Sequence, residues 1–306
     1  MVRPAAAAAA AVALAMLAAS GGSAQKSAPQ PSVDLVEIDV VVTDHSGQHV
    51  SGLRREDFEI KEDGNAVDIK TFTAVSSGGS TKLDDGRSVV VLMDDMSMSP
   101  MAANSIKALA NYVAAFAGPG DEFSVIRLTN KSDEPYGDFE SAVGRIAEYQ
   151  PSPVPFDGLQ AMEDLLSTVT NVAQRFQDSG RRRKVLVCIG TSQVCNMLEP
   201  RRWALRSMWQ KWIVAVTAAA RANVSVYGLV SRRGGPSSGG IVEATGGELF
   251  GSTSDLRPAV RRIWEDASRH YLLGYWPSVT PKELHSIQVR VSGKGRRVLA
   301  RRVRGS

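Results

Sequence analysis

The chain has 306 residues, 43% of them hydrophobic and 22% charged, with a formal net charge of +4. That length buries a core of one large domain or two unequal ones, and the composition excludes disorder for the body of the protein. Basic clusters at residues 181–184, 231–235 and 293–306 have no interleaved aromatic residues. They read as a solvated basic face, suited at most to an anionic envelope surface or an acidic protein, and not as a nucleic-acid surface.

Residues 1–24 are set apart from that body. Arg3 precedes an apolar run through Leu17 and small residues ending at Ala24. This is the layout of a secretory signal peptide cleaved after Ala24. The run is shorter than the roughly 20 residues a spanning helix needs. No cysteine follows the cleavage region, and no later stretch is long and apolar enough to cross a bilayer. The expected mature chain is therefore exported, periplasmic or extracellular, with no membrane span. Cys188 and Cys195 can bridge in such a compartment. The alternative leaves Cys188 as a small buried hydrophobe in the strand "KVLVCIG".

Residues 25–32 form a Pro/Ser-rich spacer. "VDLVEIDVVVTD" then alternates, with Val36, Ile38, Val40 and Val42 on one face, as a half-buried strand does. "DHSGQ" is a turn, and "EDFEIKEDGNAVDIKTFTAV" predicts two short strands around the hairpin signal "EDGN". Residues 33–76 thus read as all β, and residues 77–87 as a linker.

Over residues 88–269 strands and helices alternate. "SVVVLMDD", "EFSVIRLT", "RKVLVCIGT" and "VSVYGLV" are apolar strands of the kind buried on both faces. Helical spacing marks "MAANSIKALANYVAAFAG", "LQAMEDLLSTVTNVAQRF", "RWALRSMWQKWIVAVTAAARAN" and "DLRPAVRRIWEDASR". "GGIVEATGGELFGS" holds a short helix, a glycine turn and an edge strand. Trp203, Trp209 and Trp212 read as core-facing, with a docking interface as the alternative. The pattern predicts an α/β fold with a doubly wound, mostly parallel sheet. Residues 270–306 revert to β, with "HYLLGYW", "HSIQVRVSG" and "RRVLARRV" as strands. Neither end of the chain has enough strands for a stable sheet alone. The two ends are therefore expected to pair into one small all-β domain, with the α/β domain inserted between them.

The chemistry-bearing stretch is "DDMSMSP", Asp94 to Pro100, at the end of the first α/β strand. Doubly wound sheets bind ligands at the carboxyl ends of their strands. Asp95, Ser97 and Ser99 spell D-x-S-x-S, and alternate residues of a tight loop can turn their oxygens to one side. A carboxylate and two hydroxyls suit Mg²⁺ or Mn²⁺. Asp94 could help by contacting metal-bound water, but as the neighbour it is expected to point away. The other view of the stretch is a helix start, with Ser99 as N-cap, Pro100 in the first turn and the acids favoured by the helix dipole.

The D-x-S-x-S motif after such a strand resembles the metal-ion-dependent adhesion site of von Willebrand factor type A (vWA) domains. The flanks "VVVTDHSGQHVSGLRREDFEIKEDGNAVDIKTF" and "YLLGYWPS…HSIQVRV" resemble the acidobacterial VWFA-related family of secreted proteins, over nearly the whole mature chain. The resemblance implies a vWA-like domain at 88–269 that binds a partner's acidic side chain through a metal and breaks no bond. Asp95, Ser97 and Ser99 match the family's first metal loop. The family's threonine before the second helix is missing; Ser152 or Asp157 stands nearest. The family's later aspartate is replaced by Gly190 or Thr191, so the adhesion site is degenerate and its metal weak or absent.

Two rivals are disfavoured. A phosphate-accepting receiver domain wants a lysine after its fifth strand, where "VSVYGLVSRRGG" has none. A hydrolase wants a nucleophile elbow or a histidine cluster. There is no G-x-S-x-G, and His45, His49, His270 and His285 fall in the β segments; His45 and His49 straddle a turn and read as solvated turn residues, with a shared metal as the alternative. The expected function is a non-enzymatic interaction or adhesion module, with a metal-independent envelope scaffold as the alternative.

Overall fold

The computed structural model describes residues 35–76, 86–118, 120–129, 138–153, 157–177, 183–195, 206–230, 240–251, 255–278, 280 and 282–305. The leader, the spacer, most of the linker, Trp203 and the basic cluster at 231–235 lie outside the described residues.

The described residues begin in β: β1 (Val36–Thr43), β2 (Phe58–Glu62), β3 (Asn65–Val67) and β4 (Ile69–Ser76). The "EDGN" signal does make a hairpin, from β2 to β3. Asp63 and Gly64 both take positive φ, 50° and 85°, as a tight Asp-Gly turn requires. Three strands rather than two fill this stretch, because β4 leaves the hairpin to pair elsewhere.

The alternating part follows: β5 (Arg87–Met93), α1 (Ala103–Ala114), β6 (Glu122–Arg127), α2 (Phe139–Glu148), α3 (Gly158–Gln177), β7 (Arg183–Gly190), α4 (Ser192–Cys195), α5 (Arg206–Arg221), β8 (Val224–Val230), α6 (Ile241–Ala244), β9 (Leu249–Phe250) and α7 (Arg257–Ser268). Its five strands form one parallel sheet in the order β6-β5-β7-β8-β9. Alternate residues of β5 enter two separate cores. Val90 and Leu92 pack with α3 and α5, including Phe176 and Trp212. Val89, Val91 and Met93 pack with α1 and α7, including Ile106 and Trp264. Trp209 and Trp212 are buried and stacked, as core residues. Helix α2 was not expected from the sequence. Asp138 caps it by accepting from the Ser141 amide at 2.7 Å, and only Ala142 and Ile146 are buried.

The chain ends in β10 (Arg269–Tyr275), β11 (Leu284–Val291), β12 (Arg297–Ala300) and β13 (Val303–Gly305). Two antiparallel sheets result, β12-β1-β10-β4 and β13-β11-β2-β3, each joining strands from both ends of the chain. They share a core of Ile38, Val40, Phe58, Ile60, Tyr271 and Leu273.

A buried polar joint links these sheets to the parallel sheet. Arg183, at the start of β7, pairs with Asp39 of β1 and donates to the Tyr227 hydroxyl at 3.3 Å. His270 Nε2 lies 3.3 Å from Asp39 Oδ1. His49 is not a solvated turn residue: it bridges back to Thr43, and its Nε2 lies 3.1 Å from Asp266 Oδ1 of α7. His45 is exposed, as expected.

Candidate functional site

The candidate site follows from strand register. Met93 of β5 aligns with Arg127 of β6 and with Ile189 of β7. The residues just past these positions therefore converge at the carboxyl edge of the sheet: Asp94 and Asp95, Leu128 and Thr129, Gly190 and Thr191.

The two aspartates diverge from there. Asp94 is fully buried and turns toward β7. Its Oδ1 accepts from the amides of Met96 at 3.1 Å and Ser97 at 2.9 Å. Its Oδ2 accepts from the Ser97 hydroxyl and from the Thr191 amide at 3.3 Å. Ser97 Oγ and Thr191 Oγ1 are 2.7 Å apart. One carboxylate and two hydroxyls thus meet, as the motif chemistry anticipated, but the carboxylate is Asp94. Its expected orientation away from the loop is corrected. Accepting the amides two and three residues ahead curls the loop and carries the Asp94 side chain inward.

Asp95 turns the other way. It accepts from the Thr129 amide at 3.0 Å and from the Thr129 hydroxyl, at the end of β6. Burial pushes its carboxyl above the ordinary range; the Thr129 bonds oppose that, and the Asp94 charge adds to it. Beneath the pair, the Tyr149 hydroxyl donates to the Asp94 carbonyl at 2.7 Å. Burial, with the charges of Asp94 and Asp95, holds the Tyr149 phenol well above its usual range.

Of the remaining motif positions, Ser99 is exposed and lies outside the cluster. It precedes a short 3-10 turn, Pro100–Ala102, with proline at the start. Ser99 makes no side-chain cap bond, so the cap alternative holds for the backbone and not for the hydroxyl. Asp157 is exposed and caps α3, accepting from the amides of Leu159 at 2.9 Å and Gln160 at 3.2 Å. Ser152 reaches the loop through its backbone, donating its amide to the Asp95 carbonyl at 2.5 Å. Only Ser97 and Thr191 of the expected set share one cluster. Asp94 completes it; the Tyr149 hydroxyl holds the Asp94 carbonyl, and Thr129 holds Asp95 away from the cluster. Two acids in a row followed by a serine three residues on is the local signal for Asp94. No local signal marks Thr129 or Tyr149.

Gly190 closes the carboxyl end of β7 beside this loop. A Cβ there would overlap the Asp94 Cβ and lie 2.6 Å from Asp94 Oδ2. The inward Asp94 therefore occupies the room a side chain at 190 would need. Cys188 and Cys195 form a disulfide with a Cα–Cα distance of 5.4 Å. Cys188 is both bridged and buried in its strand. The bridge closes the loop that carries Thr191, and the Thr191 carbonyl accepts from the Cys195 amide at 2.8 Å.

Beside Gly190 a groove of about 620 Å³ opens between α1 and the segment before α7, walled by Met98, Ile106, Leu109, Leu229 and Leu256. Met101 of the 3-10 turn and Leu159 at the start of α3 stand exposed. None of the four histidines bonds to the cluster; His285, the farthest in sequence, pairs with Asp63 at 2.7 Å. Among the described residues no three His, Cys, Asp or Glu side chains are grouped as metal ligands. No described helix is long and apolar enough to cross a membrane.

No family model matches the chain, and no curated protein matches it. Among solved structures it is similar to the crystal structure of the TFIIH p34 N-terminal domain, at 14% identity over 59% of this chain and 97% of that chain, with a TM-score of 0.32.

Proposed function

We propose that this chain is an exported, non-enzymatic protein-interaction module. In this reading it is a doubly wound, vWA-like domain, related to the acidobacterial VWFA-related family, that presents the carboxyl edge of its parallel sheet to a protein or envelope partner. The observation that carries the reading is the convergence of Asp94, Ser97 and Thr191 at that edge. The Cys188–Cys195 bridge agrees with an oxidising compartment.

The donor set fits a hard divalent cation. An octahedral ion at about 2.1 Å from its ligands sets neighbouring oxygens roughly 3 Å apart. Ser97 Oγ and Thr191 Oγ1, 2.7 Å apart, come near that spacing without rearrangement of the backbone. Asp94, Ser97 and Thr191 are the residues that would hold Mg²⁺ or Mn²⁺. A bound ion there would supply an open position for a partner's carboxylate. With one carboxylate in the set, affinity is expected to be weak. A specific observation supports a second, metal-independent reading: the Asp94 carboxylate already accepts from three backbone amides. On that reading the cluster stiffens the docking loops and no ion takes part.

Calorimetric titration of Mn²⁺ into the chain separates the two readings. The metal reading expects saturable binding that Ser97→Ala and Thr191→Ala each weaken at least tenfold, with little loss of thermal stability. Absence of heat at millimolar Mn²⁺ would remove the metal from the proposal. Hydrolytic turnover with generic ester or phosphoester substrates, abolished by the same substitutions, would overturn the non-enzymatic reading.

A further inference from the structure

The three described sheets leave six edges, and five of them are blunted. β3 and β13 have 3 residues each, β9 has 2 and β12 has 4. β6 is longer, but α2 packs against it, and Arg145 of α2 donates to the Val125 carbonyl at 2.9 Å. Short, covered edges are how proteins suppress unwanted strand pairing. β4 departs from this pattern. It runs 8 residues, and among the described strands it pairs only with β10.

The composition of β4 suits further pairing. "IKTFTAVS" has no proline and no glycine, and is rich in residues that favour strands. Its inward Phe72 is held against Phe58 and Tyr271, with ring centroids 5.7 Å apart in both cases. Its register with β10 is regular except at the Ile69 end. Lys70 is its one charged residue, and that charge is met by exposed Asp68 at 3.2 Å. The edge is thus anchored, extended and nearly neutral.

We propose that β4 is a self-association edge. Two copies pair β4 to β4, antiparallel, about a two-fold axis at Thr73. Each four-stranded sheet then continues into its neighbour's. A two-fold contact must be self-complementary. This register places Lys70 opposite Ser76, Thr71 opposite Val75, Phe72 opposite Ala74, and Thr73 opposite itself. It sets no like charges together. An axis at Lys70 would oppose the two lysines, which is destabilising. The contact is a single ladder, smaller than a standard stable interface, so the dimer is expected to form in the micromolar range.

Sedimentation equilibrium of the full chain, from low to several hundred micromolar, tests the proposal. Thr73→Lys and Thr73→Glu put like charges together at the axis, and each should weaken the dimer roughly fivefold. An equimolar mixture of the two should restore dimer at or above the wild-type level. The native cysteines are paired with each other. Thr73→Cys should therefore cross-link to a disulfide dimer under air, and Lys70→Cys, far from its own copy, should not. A wild-type chain that stays monomeric throughout overturns the proposal. So does a dimer indifferent to both charge substitutions, since its contact would lie elsewhere.

Discussion

The parallel sheet keeps a pair of acids near each of its ends, and the two pairs live in different company. At the amino end Asp39 and Asp266 are sealed among Arg183, Arg262, His49, His270 and Tyr227. Burial pushes the Asp39 carboxyl up, but Arg183 and His270 outweigh it and hold the group below the usual carboxylate range. At the carboxyl end Asp94 and Asp95 bond, among the described residues, only to amides and hydroxyls, and burial wins at Asp95. A buried carboxylate matched by a guanidinium is a fixed joint, because separating the pair leaves a charge in apolar surroundings. A carboxylate matched only by neutral donors still has its charge to offer to a cation. That difference in company, rather than the presence of acids, separates a structural joint from a candidate site.

The joint is where substitution should cost most. Arg183→Met leaves Asp39 buried without its partner and should lower stability by about 3–5 kcal/mol. Arg183→Met with Asp39→Leu should recover most of that loss. Chemical denaturation of the single and double variants reads the difference. A single variant as stable as wild type would dissolve the contrast between the two ends.

The same joint should respond to acid. Burial pushes the His270 imidazole down to about 4 from its ordinary 6.5, against the pull of Asp39. The unfolded chain therefore takes up a proton between those pH values that the folded chain refuses. Stability from this group is full above about pH 6.5 and falls as pH drops toward 4, by on the order of 3 kcal/mol. The depressed Asp39 adds a further loss at lower pH. His270→Gln should flatten the fall in melting temperature between pH 6.5 and 4; an unchanged slope would place the sensitivity elsewhere.

At the carboxyl end the expected effect is smaller and more local. Gly190→Ala drives a methyl into Asp94 and should cost about 1–3 kcal/mol. It should also break the Ser97–Thr191 contact, which the exchange rates of the Ser97 and Thr191 amides would report. Exchange as slow as in wild type would mean that Asp94 does not fill the space at 190.

Much of the architecture could be read from the chain. The apolar runs that became β5, β7 and β8 have no polar face to misplace, and the helical stripes of α3 and α5 are long. α2 escaped because a 10-residue helix with two buried residues carries little periodic signal. His49 escaped because its inward direction depends on a single bridge to Thr43. The motif led to this loop, but Asp94 rather than Asp95 is the acid bonded to Ser97 and Thr191. Alternation of side chains holds for extended chain, and this loop is curled by the bonds Asp94 makes to the next amides. Thr191 meets Asp94, and Thr129 meets Asp95, only through strand register, which no local pattern in the chain encodes.

The most direct test compares Asp94→Asn with Asp95→Asn, by Mn²⁺ calorimetry and thermal melting side by side. The account predicts that Asp94→Asn loses Mn²⁺ binding. Asp95→Asn should keep it and melt slightly higher, because a buried charge has been removed. Loss of binding in Asp95→Asn with retention in Asp94→Asn would contradict the assignment of the two acids and return the site to Asp95.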